Sequence, residues 1–332
     1  MTTPSSGNPI SFSDIISEFG PSSPVSGLPN KSDLGSYRVS QTIAGKTWTL
    51  DSGVPTSGSI SFANLQGKTL NIVIDSGTGD YDGLGVDLTN YWNSKVKTCV
   101  GNFKSPESTL SGQGAKKYHV VLRRDHGGTT YSGYWPSGSS LNVYVSGGAT
   151  IWGDGAGGGG GGWSNGGGGG GGGYGGDGIQ FSYSSNLIID SGSAIFPGCG
   201  GGGGGGGNHH NPDPGPFDPT YRGGDGGHGR GLGYGGDYRT RGSDGSGGGG
   251  SSVGRAGGGG GGGGWSYDTR GYSGGRGASD GSNVGWGGGG GGGGAGGGPG
   301  GGPGRAIVRS AGVTVNVDNK GLCYPTDVPQ LG

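Results

Sequence analysis

"LNVYVSGGATIWGDGAGGGGGG", residues 141–162, and "NLIIDSGSAIFPGCGGGGGGGG", residues 186–207, follow one pattern. In each, a β-branched strand, a Ser-Gly turn and a second short apolar strand run straight into polyglycine. The tail "VTVNVDNKGLCYP", residues 313–325, repeats strand, turn and strand without the glycines. Strand propensity broken by turn residues predicts three small hairpin cassettes, and the repetition predicts that each anchors a glycine run that leaves it or returns to it.

The runs decide what kind of object the cassettes carry. Residues 166–173, 200–207, 257–264 and 287–294 are each eight glycines long, and 157–162 is six. A flexible linker has no reason to fix its length or to exclude Ser and Pro. Strict exclusion of every Cβ implies backbones packed too closely for a methyl group, the steric argument that places glycine at the collagen axis. In polyproline II geometry eight residues form a rod of roughly 25 Å. Ordering such a rod costs on the order of 10 kcal/mol, and it has no side chain to bury. It must therefore lie in a bundle of rods joined by backbone hydrogen bonds and Cα–H···O contacts.

If successive rods alternate in direction, 157–162 leaves the cassettes and 166–173 returns, and later runs continue the alternation. The cassettes then share one end and the segments between rods the other. Those distal segments hold Trp163, Asn165, His209, His210, Tyr221, Arg222, Tyr238, Arg239, Trp265, Tyr267, Arg270, Tyr272 and Trp286. Nine of twelve arginines lie beyond residue 200 and eight of nine lysines before it, so the loops draw their charge from the planar, stacking cation. Tyr, Trp and Arg set among Ser, Gly and Asn are the composition of adaptable binding surfaces. Trp163, Trp265 and Trp286 abut runs and can equally cap the rod ends.

The rest of the chain bounds the reading. Of 332 residues 99 are glycine and 27% hydrophobic, so no conventional core extends throughout. Residues 10–152 resemble an ordinary β-rich protein, with strand-like "KTWTLDSG", "KTLNIVIDSG", "KYHVVLRRDHGG" and "SLNVYVSGG". "GLGVDLTNYWNSKVK", residues 83–97, is weakly amphipathic. "SGNPISFSDI" (6–15) and "SGSISFANL" (57–65) share an Ile-Ser-Phe core, which reads as a duplicated strand-entry unit. The expected division is an attachment segment at 1–38, a β-rich domain at 39–152, a polyglycine II bundle with aromatic tip loops at 153–304 and a β cassette at 305–332. The fold class is mostly β plus packed polyglycine II helices, with little α-helix.

A net charge of −1 gives no electrostatic footprint for nucleic acid. The first twenty residues lack a basic and then apolar leader, and no long apolar stretch predicts membrane insertion. Cys99, Cys199 and Cys323 form no CxxC pair and read as buried thiols. The Gly-Lys-Thr triplets at 45–47 and 67–69 lack the earlier glycine of a P-loop. His209, His210 and Asp213 in "NHHNPDPG" read as a polar loop before a metal site, because adjacent histidines rarely converge on one ion. "GGDG" at 175–178 and 223–226 lacks the tandem period of calcium-binding repeats. No enzymatic constellation, cofactor or metal is expected.

Over residues 153–304, the alternation of pure glycine runs with short aromatic loops, together with the closing "GGGPGGGPGRAI", resembles the tip adhesins of T-even-type bacteriophage long tail fibres. The resemblance implies a sandwich of polyglycine II helices and distal loops that bind a host outer-surface receptor, protein or glycan. It also implies a virion protein assembled in the host cytoplasm and joined to other phage structural proteins through residues 1–150. The β-rich N-terminus departs from the fibre-attachment domain of those adhesins, although its Ile-Ser-Phe-Ser-Asp opening is similar to those of other phage virion proteins. The alternative is a structural virion component, in tail, fibre or capsid, with no receptor of its own.

Overall fold

The structure, a computed structural model, describes residues 2–5, 7–21, 33–79, 81–154, 159, 170–198 and 304–323. The remaining glycine runs, Cys199 and every loop residue nominated above, from Trp163 to Trp286, lie outside them.

The duplicated Ile-Ser-Phe units begin helices, which corrects the strand-entry expectation. In α1 (Phe12–Phe19) Ser11 caps the N-terminus and Asp14 reaches back to the Ser11 backbone. In α2 (Phe62–Leu65) Ser61 and Asn64 repeat this capping box. A cap and its partner three residues later satisfy amide donors that a strand would not leave free. The two units meet through Phe12 and Phe62, edge to face at 4.9 Å, and bury Ile15 and Leu65. Between them lies the antiparallel hairpin of β1 (Ser40–Ile43) and β2 (Lys46–Thr49).

From residue 71 onward the chain coils as a three-faced parallel β-helix. Its first turn is β3 (Asn71–Asp75) and β4 (Tyr81–Leu84), closed by a bridge from Asp87 to Tyr131. An excursion follows through a 3₁₀ turn (Leu88–Asn90), α3 (Tyr91–Ser94), β5 (Val96–Cys99) and α4 (Leu110–Gln113). The weakly amphipathic stretch thus becomes a short helical turn and a strand. The second turn is β6 (Lys117–Leu122), β7 (Asp125–Gly127) and β8 (Thr130–Tyr131), and the third is β9 (Ser140–Val145), β10 (Thr150–Trp152) and β11 (Ile179–Phe181). The fourth is β12 (Ser185–Ile189), β13 (Ala194–Phe196) and β14 (Ile307–Arg309), and the last described is β15 (Val315–Asn319) and β16 (Leu322–Cys323).

Like strands stack in parallel into faces ordered β15-β12-β9-β6-β3, β16-β13-β10-β7-β4 and β14-β11-β8, and β5 adds antiparallel to the free edge of β3. The cassettes are therefore successive coils and not hairpins. β9 pairs in parallel with β12, and β10 with β13. The intervening turn, with Gly147 and Gly148 both at positive φ, serves as a corner. Stacking aligns one apolar column, Ile74, Val120, Val143, Leu187 and Val317, across all five turns. Pairing the arms of a single cassette would break that column.

Candidate functional site

The glycine-rich segments all leave and re-enter at one corner, between the second and third faces. In the first two turns this corner is short, and Gly85 donates its N–H to Gly127 O at 2.9 Å. In the third turn the chain departs at Gly153 and re-enters at Gly178. In the fourth it departs at Gly198 and re-enters at Gly304.

At their roots the four arms of these two segments form one hydrogen-bonded row. Gly176 N donates to Asp154 O at 2.7 Å, Gly198 N to Gly176 O at 2.8 Å, and Gly304 N to Gly198 O at 2.9 Å. The row alternates outgoing and returning chain. Its glycine positions leave no room for a side chain: a Cβ on Gly198 would lie 1.7 Å from Asp154 O, and one on Gly304 2.0 Å from Gly176 O. Farther out, a Cβ on Gly159 would lie 2.0 Å from Gly170 O, so the departing and returning arms of the first segment touch backbone to backbone. Asp177 Oδ1 accepts from Arg305 N at 2.9 Å and ties the two returning arms together. Trp152 and Phe196 pack with tilted rings, centroids 4.4 Å apart, on the outgoing side. Burial raises the Asp154 carboxyl above its ordinary pKa.

Tyr174 stands at this root and is 79% exposed. It follows a glycine run directly, as Trp265 does, so the rule that selected the loop tryptophans selects it too; it was missed because its run returns instead of departing.

Among the described residues several ionisable groups away from this corner are buried. Asp82 accepts from the Tyr91 hydroxyl and pairs with Lys95, and Arg124 lies 3.7 Å away. His126, fully buried beside them, is pushed down to about 4 by burial. His119 is pushed down to about 3 by burial, with Lys117 adding to the effect, and one ring nitrogen lies 3.1 Å from Asn71 Oδ1. Cys99 and Cys323 are buried free thiols, each pushed up to about 11 by burial, which makes them poor nucleophiles. Among the described residues no group of three or more His, Cys, Asp or Glu could hold a metal ion, and no helix is long and apolar enough to cross a membrane.

No known protein family and no curated protein matches the chain. Among solved structures, the gp37-gp38 adhesin tip complex of the bacteriophage S16 long tail fibre is similar over 81% of this chain and 87% of that one, at 21% identity and a TM-score of 0.36. That likeness is too distant to carry a functional argument.

Proposed function

We propose that the chain is a bacteriophage tail-tip or tail-fibre adhesin. Its β-helix is the foot, its glycine segments are a stiff bundle of polyglycine II rods, and the loops between the rods bind a receptor on the host surface. The observation that carries this reading is the side-chain-excluding row at Gly153, Gly176, Gly198 and Gly304. A slack tether needs no such row at its root, whereas a bundle must begin with one. Rods held in register at the foot can present Trp265, Tyr267, Arg270 and Tyr272 as a fixed surface, and aromatic and arginine side chains dominate binding energy when so presented. Other virion proteins are engaged through residues 1–150.

The test is deletion of residues 265–286 from the phage. Particles that assemble but no longer adsorb to host cells support the adhesin. Failure of assembly favours the purely structural role, and unchanged adsorption by intact particles removes this loop from recognition.

A further inference from the structure

The hairpin of β1 and β2 lies across the outer surface of the first face and touches successive coils of the β-helix. Asn71, in the first coil, donates to Thr49 O at 3.1 Å. Lys117, in the second, pairs with Asp51 at 2.5 Å just after β2. Trp48 packs on His119 of the second coil at 4.6 Å and on Tyr144 of the third at 5.5 Å. Lys46 sits 5.0 Å over the Tyr144 ring and pairs at 2.5 Å with Asp190, which directly follows β12, the first strand of the fourth coil.

An isolated two-stranded hairpin is marginal in water, so this one is held by what it touches. A β-helix is quasi-one-dimensional: each coil contacts mainly its neighbours, and terminal coils can open without the rest. The fourth coil is interrupted between Gly198 and Gly304, so its third-face strand β14 returns only after a long detour. β14 and the last coil therefore close at greater entropic cost than the coils before them. Lys46 is the hairpin's contact with that interrupted coil.

We infer that Lys46 and Asp190 form a latch by which the N-terminal hairpin holds the fourth and fifth coils closed on the first three. Releasing it lets those two coils open as a unit while the first three stay folded. The latch sets how often the support of the segment from Gly198 to Gly304 opens, whatever its loops bind.

Hydrogen–deuterium exchange on the full chain tests this. In Lys46→Ala, amides in 185–196 and 307–319 should exchange roughly five- to tenfold faster, the range expected for a partly buried ion pair plus a cation–π contact. Amides in 71–75 and 117–122 should be unchanged. Asp190→Asn, which leaves the Lys46–Tyr144 contact in place, should give the same pattern at smaller amplitude, and Lys46→Arg should restore protection. Equal loss of protection in all coils, or unchanged exchange in the fourth and fifth with either substitution, overturns the inference.

Discussion

A methyl group at Gly198 would stand 1.7 Å from the carbonyl oxygen of Asp154, and nothing there is a flexible side chain that could move aside. Gly198→Ala must therefore push the neighbouring backbones apart and break at least one bond of the row. It should cost at least the 1 to 3 kcal/mol or so typical of overpacking, seen as a lowered midpoint in chemical denaturation. The buried histidines contribute to the response to acid. Both have folded pKa values below the ordinary 6.5, so the unfolded chain binds more protons as the pH falls. Stability is full above about 7 and declines through 6.5 toward about 4 for His126 and about 3 for His119. The His126 shift alone corresponds to on the order of 3 kcal/mol between neutral pH and pH 4. Denaturation midpoints of His126→Gln should show a shallower fall over that window, whereas an equal slope would place the acid sensitivity elsewhere. At this scale the sequence was informative about glycine, because exclusion of Cβ is written in composition. It was silent about His119 and His126, whose burial depends on packing between distant segments.

Helix α1 is fastened to the β-helix by Glu18, 1% exposed, which pairs with Lys116, 4% exposed, at 2.5 Å and accepts from Leu70 N at 2.7 Å. Removing one partner strands the other in an apolar setting, so Glu18→Ala or Lys116→Ala should destabilise by about 3 to 5 kcal/mol. The double change Glu18→Leu with Lys116→Leu should cost less than either, read from thermal melts of the three variants. Strands were legible where β-branched and aromatic residues ran up to a Gly or Asp turn signal: β2, β3, β6 and β9 fall inside stretches quoted for them. Their pairing was not. Parallel pairing joins β12 to β15 across the whole second glycine segment, and no local pattern distinguishes a corner from a hairpin turn when both use Ser and Gly. The Ile-Ser-Phe units failed differently. Ile and Phe weigh toward a strand, but the Ser-to-Asp and Ser-to-Asn spacing of three, readable as a capping box, was the deciding signal.

At the scale of the molecule, the described residues from 71 onward form a β-helix interrupted twice at the same corner, and the ends of the larger interruption meet, with Gly304 N bonded to Gly198 O at 2.9 Å. Replacing residues 199–303 by an Asn-Gly turn, which suits adjacent antiparallel chain ends, should leave a cooperatively folding protein with unchanged β-sheet circular dichroism and no affinity for host cells. Loss of the β signal would mean that the foot depends on what it carries. The family resemblance implied a recognition end but gave no hint of a coiled foot, because the repeat that encodes it is split by the glycine segments. The shared corner also bears on how such a protein can diversify. Closing a longer excursion costs only about 0.6 kcal/mol per doubling of its length, and the apolar column of the first face does not pass through that corner. Excursions of different length can thus be carried there while the interior residues stay as they are.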